Sequence, residues 1–140
     1  MNLKIINTKR QHMEEIIQLL QNISPQYPKK ELYEDIWTSF IEQPNVYSCV
    51  AISKSVVVGY GALVIEAKIR GGKLGHIEDI ASHDAFQNRG IGTAIVKYLF
   101  EIAKTKGCYK TVLQCKKNQV EFYKKCFFKT GGLAMQKFNF

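Results

Sequence analysis

The sequence predicts a single α/β domain over residues 1–140, with a mixed, mostly antiparallel sheet and helices on both faces. Three observations lead there. Short runs rich in β-branched residues alternate with segments whose apolar residues recur at helical spacing. Residues 74 to 115 read as strand, helix and strand, a βαβ unit preceded by an antiparallel meander. No linker, repeat or low-complexity stretch divides the 140 residues, a length that buries a sizeable core.

The elements follow in the order β-α-α-β-β-β-α-β-α-β. Leu3 to Ile6 reads as a short strand. Thr8 and Gln11 have the spacing of a capping box, and Met13, Ile16, Ile17 and Leu20 continue as one helical face. Pro25 and Pro28 lack the backbone donor that would extend this helix. A second helix is predicted over Lys30 to Glu42, with Tyr33, Ile36, Trp37, Phe40 and Ile41 on one side and Pro44 beyond its end. Val46 to Ile52 and Val56 to Ala67 have strand composition and join at Ser53-Lys54-Ser55. Gly71-Gly72 marks a turn, and Leu74 to Ala81 forms the next strand. A helix from Gly92 to Lys106 carries Ile95, Leu99, Ile102 and Ala103 as its apolar stripe, with Gly107 suited to the left-handed C′ position. Cys108 to Cys115 is a strand, Gln119 to Cys126 a short helix, and Leu133 to Phe140 a final strand after Gly131-Gly132.

Composition narrows the function classes. With 46% hydrophobic and 23% charged residues, the chain reads as a soluble globular protein. It has no apolar run of the roughly 20 residues needed to cross a bilayer. Nothing at the N-terminus resembles a signal peptide, so cytosolic residence and no membrane partner are expected. Cys49, Cys108, Cys115 and Cys126 form no C-x-x-C pair, so reduced core thiols and no metal site are expected. The net charge of +8 calls for anionic partners, either nucleic acid or phosphorylated small molecules. The lysines are spread along the chain rather than gathered into a basic arm, which argues against nucleic acid.

The most pointed local signal is Gln87-Asn88-Arg89-Gly90-Ile91-Gly92, between a strand and a helix. Unpaired N–H groups at a helix N-terminus attract anions, and glycines let the backbone come close. The same residues also suit a plain glycine turn with a solvated arginine. The loop is neither a Walker loop nor a G-x-G-x-x-G fingerprint.

Q-x-x-G-x-G opening a helix after a central strand resembles the pyrophosphate loop of the GNAT acetyltransferases. The element order resembles theirs as well. Glu66-Ala67-Lys68-Ile69, Gly75 to Ile80, Gly107 to Lys110 and Phe122 to Cys126 are similar, more narrowly, to signatures of glucosamine 6-phosphate N-acetyltransferases. The likeness runs from about Glu66 to Met135.

The resemblance implies a GNAT fold and direct transfer of an acetyl group from acetyl-coenzyme A, as co-substrate, to a small-molecule amine. Glucosamine 6-phosphate is the implied acceptor. Gln87, Asn88, Arg89, Gly90, Ile91, Gly92 and Thr93 would hold the cofactor pyrophosphate, with Gln114 and Gln119 as further cofactor contacts. The Ile80 backbone N–H would polarise the thioester carbonyl. Tyr123, a phenol with a pKa of about 10, would protonate the leaving thiolate. Glu78 and Asp79 would orient the amine and help remove its proton. Strand alternation places these two side chains on opposite faces unless a bulge intervenes. Glu66, Lys68, Tyr109 and Lys110 would bind the acceptor, the lysines at its phosphate. His76 is assigned a structural place and His83 a loop. The family also implies a homodimer, to which the hydrophobic final strand would contribute.

The sequence departs from this family at three positions. Gln119 stands where the family has Asn, Phe127 where it has Gly, and Phe138 where it has a phosphate-binding Arg. Phe138 keeps other acceptors in view, such as an unphosphorylated amino sugar, a polyamine or a peptide. A non-catalytic acetyl-coenzyme A-binding module is the rival from another class, against which the retained Glu78, Asp79 and Tyr123 speak.

Overall fold

The structure, a computed structural model, describes residues 2–21, 23–86 and 89–140. Five strands form one sheet in the order β1 to β5: Lys4–Asn7, Val46–Ser53, Val56–Ala67, Lys73–Ser82 and Cys108–Leu113. The pairs β1–β2, β2–β3 and β3–β4 are antiparallel, and β4–β5 is parallel. Helices α1 (Met13–Leu20) and α2 (Tyr33–Ile41) precede β2, α3 (Ile91–Thr105) connects β4 to β5, and α4 (Val120–Lys125) follows β5. The predicted α/β class, the mixed sheet and the βαβ unit are all present.

The sheet divides two cores. On one face Leu63, Ile77, Ile91, Ile95, Leu99 and Ala103 pack beneath α3, together with Tyr123 from α4. On the other, Ile16 and Leu19 of α1 cover Val50, Val57, Tyr60, Ala62 and Ala81. Fully burying a Leu or Ile stabilises by roughly 1.5–3 kcal/mol, so the α3 face holds a large share of the stability.

Gly59 and Gly61 explain how closely α3 approaches β3. A Cβ on Gly59 would lie 2.6 Å from both Ile91 and Ile95, and one on Gly61 would lie 2.6 Å from Ile95 and 2.7 Å from Ile80. Only hydrogen fits at either position.

Several local expectations are corrected. Thr8 does not cap the first helix; Arg10–His12 form a 3-10 turn instead, and the His12 ring Nδ1 accepts the Lys9 N–H at 3.0 Å. The β2–β3 loop is the two residues Lys54 and Ser55, with φ of 49° and 66°, both in the left-handed region of a tight hairpin turn. Only Tyr33 is buried on α2, whereas Ile36 and Ile41 of its predicted apolar side are exposed.

The final strand, Leu133 to Phe140, does not form. A Schellman turn closes α4: the Phe127 N–H reaches Lys124 O and the Phe128 N–H reaches Tyr123 O, both at 3.0 Å. Phe127 takes φ of 71° at the C′ position, where the family's glycine would be unstrained. The chain then leaves the sheet, and with no strand beside it the tail has no ladder to join. Leu133, Met135, Phe138 and Phe140 all face solvent.

Candidate active site

The site arises where β4 and β5 part. Their parallel pairing runs from Lys73 and Cys108 to Ile77 and Leu113, and β4 continues to Ser82 without β5 beside it. Backbone groups from Glu78 onward, that of Ile80 among them, are therefore released from β5. Ile80 turns its side chain into the α3 core, within reach of Gly61.

A β-bulge sets the two acids, the exception under which strand alternation no longer fixes their faces. Ala62 pairs with Glu78 and Tyr60 with Ala81, so Asp79 and Ile80 together stand opposite Gly61. Asp79 absorbs the extra residue at φ of 55°, a conformation that Asp tolerates better than most side chains. Glu78 shares the α1 face with Ala62. Tyr60, opposite Ala81 across the bulge, belongs to the α1-side core. Plain alternation would have sent the acids to opposite faces; the extra residue breaks that alternation at Asp79. Burial pushes the Asp79 carboxyl above its ordinary value. It also raises Tyr60, with the Asp79 charge adding to the effect.

A second bulge acts on β5. Lys73 pairs with Cys108 and Leu74 with Lys110, leaving Tyr109 as the extra residue. Lys110 thereby joins Leu74, His76 and Glu78 on the α1 side instead of following Cys108 toward α3. Tyr109 is exposed, with the Lys110 ammonium 5.8 Å from its ring centre.

Glu66 completes the polar stripe on this face. Its Oε1 accepts Lys68 Nζ at 2.9 Å and lies 3.0 Å from His76 Nε2. Hydrogen bonds from Lys68 and then His76 hold its carboxyl below the ordinary range. His76, assigned only a structural place from the sequence, thus belongs to the same cluster as two predicted acceptor-binding residues.

At the other end of the opening, Gly90 caps α3 with φ of 78°, and the first turn closes through the Ala94 N–H to Gly90 O at 3.0 Å. The N–H groups of Ile91, Gly92 and Thr93 precede any intrahelical partner, so an anion-attracting terminus is exposed there. Arg89 is exposed, its guanidinium 5.8 Å from the Phe86 ring centre. Gln87 and Asn88, the first two predicted loop residues, lie outside the described residues. The Cys126 thiol lies beside the Thr93 side chain, which brings α3 to the end of α4.

Tyr123 lies between these ends. Of the aromatic pair it is the buried member, 8% exposed, packed edge-on against Phe122 and Phe128 with ring centres 4.9 and 6.1 Å away. It shares a core with Ile77, Ile80 and Ile91, which brings α4, the free part of β4 and the start of α3 together. Burial, then the neighbouring Cys115 and Cys126, push its phenol upward, so it holds its proton at neutral pH. Gln114 is exposed beyond β5. Gln119 is partly engaged: its Oε1 accepts the Lys116 N–H at 2.9 Å, which leaves its Nε2 as the donor.

All four cysteines are free thiols, and burial pushes Cys49 up to about 12, making it an inert core residue. Among the described residues no group of His, Cys, Asp or Glu is arranged to hold a metal, and no helix is long and apolar enough to cross a membrane. The Tyr60 position and both bulges were missed from sequence. The Gly59-Tyr60-Gly61 triplet was the available signal, since two glycines on one face of a long strand mark a close approach.

The model of the acetyltransferase (GNAT) family matches residues 13–128. The chain belongs to that family. It is 34% identical over 110 residues to glucosamine 6-phosphate N-acetyltransferase of Candida albicans, covering 76% of this chain and 74% of the relative. The enzyme named glucosamine 6-phosphate N-acetyltransferase 1 of Dictyostelium discoideum is 31% identical over 121 residues, covering 83% and 77%. Among solved structures, glucosamine-6-phosphate N-acetyltransferase from Arabidopsis thaliana superimposes with a TM-score of 0.92 at 25% identity, covering 99% of each chain. The resemblance read from the four sequence blocks is borne out. This GNAT chain is an acetyltransferase in which the β4–β5 opening, the α3 N-terminus and Tyr123 converge.

Proposed function

We propose that this GNAT chain transfers the acetyl group of acetyl-coenzyme A to the amine of glucosamine 6-phosphate by direct attack in a ternary complex. One observation carries the reading: the bulge at Asp79 sets both acids on the part of β4 that β5 leaves free, beside the opening whose core includes buried Tyr123. The α3 amides from Ile91 to Thr93, with Gln87, Asn88, Arg89 and Gly90, hold the pyrophosphate; Gln114 and the Nε2 of Gln119 bond the rest of the cofactor. The Ile80 N–H polarises the thioester carbonyl as charge develops on its oxygen. Glu78 and Asp79 orient the acceptor amine, and the raised proton affinity of Asp79 suits it to take up a proton. The amine nitrogen bonds to the carbonyl carbon, the carbon–sulfur bond breaks, and Tyr123 gives its proton to the departing thiolate.

Lys68 and Lys110 meet the sugar phosphate, with Glu66 and Tyr109 beside them. Phe138 supplies no charge to this task and favours a second reading, an acceptor without phosphate. Thiol release against a panel of amines decides. Turnover of glucosamine 6-phosphate above all other amines is expected; no turnover of it, alongside turnover of another amine, overturns the acceptor assignment.

The protein acts in the cytosol as a homodimer. The apolar tail of Leu133, Met135, Phe138 and Phe140 supports the second copy, since so much exposed apolar surface is costly in water. Sedimentation of the wild type should give a dimer, and Leu133→Glu with Phe140→Glu should shift it to monomer. A monomeric wild type rejects the assembly.

A further inference from the structure

The Glu66 carboxylate joins two residues from different elements. His76 lies inside β4, fixed by strand pairing to Val64 and Val112. Lys68 lies beyond the end of β3, in the turn closed by the Lys68 N–H to Gly72 O and the Gly71 N–H to Lys68 O, both at 3.0 Å. No ladder directs the Lys68 side chain. Its direction comes from Glu66 Oε1 at 2.9 Å, and the same oxygen is held from the β4 side by His76 Nε2 at 3.0 Å. An ionised carboxylate only accepts, so Nε2 carries the hydrogen in this bond. The ammonium gives one of its three hydrogens to Glu66 and keeps two for another anion.

We propose that His76 is a positioning residue for the acceptor: through Glu66 it holds the Lys68 ammonium ready for the acceptor's phosphate. The inference rests on the glucosamine 6-phosphate reading above and deepens it. His76 itself touches neither substrate. Its work is to remove freedom from a long, turn-borne side chain before binding, so that less is lost when the phosphate arrives. Lys110, placed on the same face by the Tyr109 bulge, supplies the second positive charge and offsets the repulsion between Glu66 and the phosphate.

The test is steady-state kinetics with glucosamine 6-phosphate and with glucosamine as acceptors. Wild-type turnover of the phosphorylated sugar is measured first, because its absence removes the functional reading and not the positioning role alone. His76→Phe should raise KM for glucosamine 6-phosphate about ten-fold, as expected for a weakened charge-assisted contact. Its kcat, its KM for acetyl-coenzyme A and its KM for glucosamine should stay within about two-fold on the same scale. His76→Gln, which keeps an N–H near the Nε2 position, should recover most of the loss. In a Lys68→Met background, His76→Phe should add nothing. Should the Phe variant not fold, the surface change Glu66→Gln reads the same pathway, with raised KM and no further effect once Lys68 is Met. An unchanged KM, equal losses with both sugars, or a full additional loss in the Lys68→Met background overturns the proposal.

Discussion

On the α3 face of the sheet, Leu63, Ile95 and Leu99 are sealed from water and two glycines admit the helix to van der Waals contact with β3. On the α1 face, Glu66, Glu78 and Lys110 stay exposed, and α2 buries only Tyr33. The difference separates two tasks. The α3 side is a rigid platform that fixes the helix N-terminus, Ile80 and Tyr123 relative to one another. Beyond the core beneath α1, the α1 side is a polar surface shaped by two bulges and one ion-paired cluster, and it stays open to solvent. A helix packed without tolerance suits a cofactor common to a whole family; an adaptable polar face suits the part of the reaction that varies.

The sharpest way to break this contrast is to crowd the platform. Gly61→Leu should lower stability by about 3 kcal/mol, because even its Cβ meets Ile95 and Ile80 at under 3 Å. Urea unfolding measures the loss, and a change below about 0.5 kcal/mol would show that α3 can retreat from the sheet. Tyr123→Phe keeps the ring packing and removes only the proton donor. It should cut kcat about 10- to 100-fold with KM little changed, the range of a modest general-acid contribution. An unaltered kcat would make Tyr123 a core aromatic and nothing more.

Phe127→Gly should raise stability by about 1 kcal/mol, since glycine relieves the left-handed C′ residue and the exposed Phe127 ring gives up little packing. No gain in the urea midpoint would mean that the ring is covered in solution. A smaller change is expected at Asp79. Its folded proton affinity is raised, so the stability it lends is complete below the ordinary carboxylate value of 3.8 and is lost as pH rises through the folded value. Asp79→Asn, which also tolerates positive φ, should therefore match the wild-type Tm below that pH and exceed it at neutral pH. Equal melting at both would mean that solvent screens the carboxylate.

Much of this molecule is legible in the order of its residues. Periodicity distinguishes the helices from the strands because an amphipathic element must repeat its apolar residues at the pitch of its own backbone. The glycine loop and its helix are visible for the same kind of reason, since Gly90 permits a backbone that other residues resist. Glu66, Lys68 and Asp79 stand out in the chain through the signature blocks, but nothing in residue order ties His76 to Glu66.

Residue order alone carries the α/β class, the βαβ unit, and the identities of the residues at the opening of α3 and along β4. Only the tertiary structure decided which of them share a face. A bulge depends on pairing between distant strands, so neither the break in alternation at Asp79 nor the turning of Lys110 can be read from local alternation. The tail shows the same limit from the other side. Leu133 to Phe140 has the composition of a strand, yet hydrogen bonding to a neighbour makes a strand, and no strand of the sheet pairs with it.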